Sequence, residues 1–146
     1  KDKTPYKTHF GIGISPTAKN FSGPGYYIHL EPGKSFVTAG SWMPEREALQ
    51  AIRQEIDYNS GDFHEILESP VCTRSFTGLD QEHSQKPAPK GYPADHPDIE
   101  FLRLKSFTAS SPVRDGVLLS DRAVPEVLQR LEALYPLMQF LRNALS

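Results

Sequence analysis

Cysteine is almost missing from this chain: Cys72 is the only one among 146 residues. That excludes an intramolecular disulfide framework and a cysteine-based structural zinc cluster, and it fits a reducing compartment. No apolar run approaches the roughly 20 residues that span a bilayer, and Lys1 to Lys7 lack the apolar stretch of a signal peptide. The expectation is a cytoplasmic protein with no membrane partner. An excess of charge is missing too, since 16 Lys and Arg face 18 Asp and Glu for a formal net charge of -2. Such a balance does not draw the whole chain to nucleic acid, so no nucleic-acid partner is expected and any charge-based function has to be local. There is no G-x-S-x-G elbow, Walker phosphate loop, Rossmann glycine fingerprint or paired-histidine zinc helix, and no internal repeat. No cofactor is implied.

What is present suffices for a core. Apolar residues make up 38%, with eight Phe and six Tyr, and a chain of this length buries roughly two-thirds of its unfolded surface. One domain over residues 1–146 is expected. From Thr8 to Ser15 the chain alternates, with Phe10, Ile12 and Ile14 on one face and His9, Gly11 and Gly13 on the other, which is strand patterning. Pro16 to Gly25 reads as a loop, Tyr26 to Glu31 as a second strand, Pro32-Gly33 as a turn and Ser35 to Trp42 as a third strand. The three together predict an antiparallel meander.

Pro44 is suited to the first turn of a helix, where its missing N–H is not needed, and Leu49, Ile52 and Ile56 recur at helical spacing up to a stop near Gly61. A shorter helix is expected from Asp62 to Glu68, closed by Pro70. Gln81 to Pro93, with the proline-rich run from Lys86, reads as an ordered loop or a linker. Asp95-His96-Pro97-Asp98 then resembles a helix start capped by Asp95. Lys105 to Thr108 fits one more strand, and Ser120 or Asp121 caps a long terminal helix through Leu141 that Pro136 should kink. The fold class is therefore α+β: an antiparallel sheet begun by a three-stranded meander, helices packed on it and a long C-terminal helix.

Three groups of residues could carry chemistry. The polar face of the meander brings His9, Gly11 and Gly13 beside Tyr27, His29 and Glu31. A histidine next to a carboxylate can act as a base, and His9, His29 and Glu31 could form a 2-His-1-carboxylate metal set; a half-exposed sheet under a packed helix explains the same pattern. Lys-rich and Tyr-rich loops, with Lys3, Tyr6 and Lys7 at one end and Lys90, Tyr92 and Lys105 later, could converge on a phosphate or carboxylate. His96, at the expected helix start, is the third. Cys72 lacks a basic neighbour until Arg74 and reads as an inert buried thiol.

Lys3-Thr4-Pro5-Tyr6-Lys7 resembles the end of R-x-x-R-D-x-R-F-x-x-x-K-x-P-Y-K, the hallmark of an uncharacterised bacterial and fungal family, a domain of unknown function. Gly25-Tyr26-Tyr27-Ile28, Gly40-Ser41-Trp42-Met43-Pro44, Ile52-Arg53, Pro89-Lys90-Gly91-Tyr92, Asp95-His96-Pro97 and Leu104-Lys105-Ser106-Phe107 resemble its later landmarks. The resemblance covers essentially the whole chain and implies no activity. It implies that an N-terminal segment carrying the arginines of the motif is lacking here, which would leave an apolar face open to a second copy. The resulting expectation is a domain that binds a small anionic ligand through Lys3, Tyr6, Lys7, Arg53, Lys90, His96 and Lys105, with a noncatalytic interaction domain as the alternative.

Overall fold

The computed structural model describes residues 9–15 and 23–146. Strands β1 (Phe10–Ile14), β2 (Gly25–Leu30), β3 (Phe36–Ser41) and β4 (Phe107–Pro112) form one sheet in the order β1-β2-β3-β4. All neighbours are antiparallel, with Gly13 opposite Tyr27, Tyr27 opposite Thr38 and Thr38 opposite Ser110. The expected meander is present, and β4 extends it on the far side of β3. The helices are α1 (Arg46–Tyr58), α2 (Ser60–Glu68), α3 (Pro70–Thr73), α4 (Ile99–Leu102), α5 (Asp115–Leu118), α6 (Ala123–Ala133) and α7 (Tyr135–Leu145). None of the described helices is long and apolar enough to cross a membrane.

Strand alternation divides the sheet into two unlike faces. Val37, Ala39 and Ser41 of β3 and Phe107, Ala109 and Ser111 of β4 are buried against the helices. Of these, Ala39, Phe107 and Ala109 share one core with Ile52 and Ile56 of α1, Phe63 of α2, Leu102 of α4 and Leu134, Leu137 and Leu141 of the C-terminal pair, all essentially without solvent contact. Full burial of each such Leu, Ile or Phe contributes about 1.5–3 kcal/mol. The helix layer stops short of β1, so Phe10, Ile12 and Ile14 are 65%, 42% and 45% exposed.

Several boundaries differ from expectation for local reasons. Helix α1 starts after Glu45 and ends at Tyr58, and Gly61 falls inside α2 rather than closing α1. The chain breaks at Asn59, and beyond it Phe63 of α2 shares one core with Ile52 and Ile56 of α1. Pro70 opens α3 instead of closing α2 and leaves no donor unpaired there, while the Ser69 hydroxyl accepts the N–H of Cys72 at 3.3 Å. Asp95 caps nothing: α4 begins at Ile99, and Asp98, in the flanking position, spends its carboxylate on other side chains. The strand expected from Lys105 runs from Phe107 to Pro112. The terminal helix is not kinked but divided at Leu134, because Pro136 offers no N–H and starts a new first turn.

Candidate functional site

The face turned away from the helices carries the second set of alternating residues: Gly11 and Gly13, Tyr27 and His29, Phe36 and Thr38, Thr108 and Ser110. A cavity of about 710 Å³ opens over it, inside the size range of small-molecule sites. One wall is the sheet; the other is the segment that follows α3 and runs along the edge of β4. Backbone bonds fix that segment, Asp80 N–H to Thr108 O at 2.8 Å and Lys105 N–H to His83 O at 2.8 Å.

The cavity has aromatic walls and a polar floor. Tyr27 and Phe36 line it from the sheet, and Trp42 stands at its side, 68% exposed and edge-on to His83 with ring centroids 6.3 Å apart. Trp42 is turned outward where the chain leaves β3: Met43 adopts a φ of 43°, and its N–H is held by the Ser106 hydroxyl at 2.7 Å. Beneath, Asp80 Oδ2 accepts the hydroxyls of Thr108 at 2.9 Å and Ser110 at 2.8 Å, and the Thr38 hydroxyl lies 2.9 Å from that of Ser110. The charged groups lining it are Asp80, Glu82 and the titratable His83, with no lysine or arginine among the described lining residues.

At the β1 end Tyr27 Oη is 3.1 Å from His29 Nδ1, and His29 Nε2 is 2.8 Å from Glu31 Oε1. The His29 ring is flanked by His9, with centroids 5.1 Å apart, and by Phe36 at 4.8 Å, both nearly parallel to it. Glu31 is held by the turn that joins β2 to β3: its N–H reaches the Ser35 hydroxyl at 2.9 Å, and its carbonyl accepts from that hydroxyl at 3.0 Å. The hydrogen bond from His29 keeps the Glu31 carboxyl below its usual value. Both nitrogens of His29 are thereby committed, and among the described residues no group of three or more His, Cys, Asp and Glu is arranged to hold a metal ion.

A second polar cluster lies between α1, α2 and the loop before α4. Buried Asp98 accepts Ser60 Oγ at 2.5 Å and His64 Nε2 at 2.6 Å, and His64 Nδ1 is 3.1 Å from Glu68. His96 joins the same loop to α1 through Asp57, 2.6 Å away, and lies edge-on to Tyr92. Arg53, also buried, donates to Leu104 O at 3.1 Å and Gln85 Oε1 at 3.2 Å, and its Nε has no partner among the described residues. Burial draws the Arg53 pKa down, with Tyr92 opposing.

Of the residues expected to bind an anion, Lys3, Tyr6 and Lys7 lie outside the described residues. Arg53 and His96 come into one neighbourhood through Tyr92 and Asp57; Lys90 and Lys105 are exposed, and none of these four lines the cavity. The face singled out by alternation, His9, Gly11, Gly13, Tyr27, His29 and Glu31, is assembled as a unit. Phe36 and Thr38 share it and were legible from the same alternation carried into β3. Asp80 and His83 were not, because only the tertiary fold places their loop against β4.

The sequence profile of a family described as conserved hypothetical protein (DUF2461) matches residues 1–140, in keeping with the resemblance to an uncharacterised family. No curated protein and no solved structure matches the chain.

Proposed function

The chain belongs to the DUF2461 family of conserved hypothetical proteins, and from the open face of its sheet we propose that it binds a small molecule with a flat apolar body and a hydroxyl or amine group. The carrying observation is the composition of the cavity: Trp42, Phe36 and Tyr27 offer aromatic surface, while Asp80 and the hydroxyls bonded to it offer polar contacts at the floor. Rings stack or meet edge-on with such walls, and a carboxylate accepts from a hydroxyl or an ammonium group. With Asp80 and Glu82 in the lining and no described cation beside them, a neutral or cationic ligand is favoured over the anionic one expected from the lysines. We place this binding in the cytoplasm, on the strength of the single buried thiol of Cys72.

Thermal unfolding with size-matched aromatic amines, nucleosides and aromatic carboxylates tests the reading. A ligand at 100 times its Kd should stabilise by about 2.7 kcal/mol. The amines or nucleosides should give that shift, and Asp80→Asn should remove most of it. Larger shifts with carboxylates or phosphates, unaffected by Asp80→Asn, would return the assignment to Arg53, Lys90, His96 and Lys105.

A second reading rests on β1, which among the described residues stands at the edge of the sheet with three exposed apolar side chains at alternate positions. We propose that a second copy pairs with it about Ile12, joining two sheets edge to edge. Light scattering should show a dimer that Ile12→Lys converts to monomer; a monomer at all concentrations removes this reading.

A further inference from the structure

Tyr27, which lines the cavity described above, begins a linear hydrogen-bonded chain that runs through His29 to Glu31. We propose that Tyr27 is the proton-transferring group of this site, that His29 receives its proton, and that the substrate carries a weakly acidic hydroxyl of phenolic or enolic type. The proposal rests on the cavity being a ligand site and assigns it a reaction.

The order of the three groups follows from donor and acceptor capacity. An ionised carboxylate only accepts, so Glu31 fixes the proton of His29 on Nε2. In the neutral ring Nδ1 is then an acceptor, and the hydrogen bond 3.1 Å away is Tyr27 Oη–H donating to it. With its proton directed at His29, the phenolic oxygen presents lone pairs elsewhere. The substrate O–H passes its proton to Tyr27 Oη as the phenolic proton passes to Nδ1. The substrate is left as an oxyanion, Tyr27 is neutral again, and the imidazolium is balanced by Glu31. Two protons shift, one net proton goes from substrate to His29, and no other reactant is required.

The surroundings fix this geometry at each point. A Cβ on Gly11 would stand 2.9 Å from Tyr27 Cε1 and nearer still to the hydroxyl, so a glycine on β1 is what lets the phenol lie across its neighbour strand. His9 and Phe36 restrict rotation of the His29 ring. The Ser35 hydroxyl, bonded to both the N–H and the carbonyl of Glu31, holds the start of the turn that presents the carboxylate. A purely structural histidine on a half-exposed strand needs none of these supports.

Methanesulfonyl fluoride tests the relay without requiring the natural ligand. When tyrosine reacts with it, an Oη–S bond forms, the S–F bond breaks, fluoride leaves and the phenolic proton passes to the base. Tyr58 and Tyr135, 73% and 52% exposed, are internal references in peptide mass spectrometry. Tyr27 should be modified faster than either, despite lower exposure. His29→Phe, which keeps a ring between His9 and Phe36, should slow it by roughly 10²-fold, the lower end of a positioned base's contribution. Glu31→Gln, which keeps the ring and its stacking, should slow it by about ten-fold, since it removes only the charge that balances the imidazolium. Should His29→Phe fail to fold, Glu31→Gln decides. Modification of Tyr27 no faster than Tyr58, or unchanged in a folded variant, overturns the proposal. The reagent is too small to need the cavity, so loss of the ligand-induced stabilisation with reactivity intact would sink the binding reading alone.

Discussion

Tyr27 occupies the space that a side chain at Gly11 would need, ring over backbone between paired strands. Gly11→Ala should therefore move the phenol and lengthen its bond to His29. The displaced atoms are the far end of a side chain and β1 is an exposed edge, so stability should fall by no more than about 1 kcal/mol, the low end of overpacking costs. Modification of Tyr27 by methanesulfonyl fluoride should fall with it. Urea unfolding and mass spectrometry on the same sample separate the two effects; full reactivity in Gly11→Ala would show that the close approach does not set the relay geometry.

Gly40 is the opposite case. It has a φ of 133°, and a Cβ would run into the backbone carbonyl of Phe107 on the partner strand. Neither strand backbone can move without breaking the register that brings Ser41 opposite Phe107. Gly40→Ala should cost more than about 3 kcal/mol, combining a conformation closed to alanine with a clash that cannot relax, and thermal unfolding reads the loss directly.

Trp42 separates binding from stability. Its ring is mostly in solvent and touches His83 edge-on, so Trp42→Ala should change stability by no more than about 0.5 kcal/mol. If the ring is a wall of the ligand site, binding of an aromatic amine should weaken by ten-fold or more, which calorimetry would register. Equal affinity in the variant would remove Trp42 from the site.

The legible parts of the molecule are those in which neighbours in sequence are neighbours in space. Alternation in β1 and β2 places Gly11 and Gly13 on a face with Tyr27 and His29, and the two-residue spacing of His29 and Glu31 puts the carboxylate within reach of the ring. The 3.6-residue spacing of Leu49, Ile52 and Ile56 likewise identifies the buried side of α1. Illegible parts depend on contacts across long separations. Asp80 reaches Ser110 from 30 residues away, and the role of Asp98 depends on Ser60 and His64, 38 and 34 residues away. Local rules assign capping to the Asp95–Asp98 stretch because capping is the local use of an aspartate; here the tertiary partners of Asp98 compete more strongly.

Those partners make stability depend on pH in a defined way. His64 is bonded to two carboxylates, Asp98 first and Glu68 second, which raises its pKa above the ordinary 6.5. Burial pushes the Asp98 carboxyl up, but the hydrogen bonds from His64 and Ser60 and the charges of His64 and His96 outweigh it and hold the group below the ordinary 3.8. A raised histidine contributes stability that is complete below 6.5 and is lost as pH rises through the raised value. A lowered aspartate contributes stability that is present above 3.8 and is lost as pH falls through the lowered value. For this pair, stability should form a plateau between these limits and decline on both sides. His64→Ala should flatten the alkaline decline that comes from the pair; His64 is 40% exposed, so solvent screening keeps its share small. Asp98→Ala should cost about 2–3 kcal/mol within the plateau, because it strands the bonded partners of a buried charged group, and should remove the pair's dependence on both sides. Urea unfolding from pH 3 to pH 9 checks each limb, and an alkaline decline of equal slope in His64→Ala would show that another group is titrating.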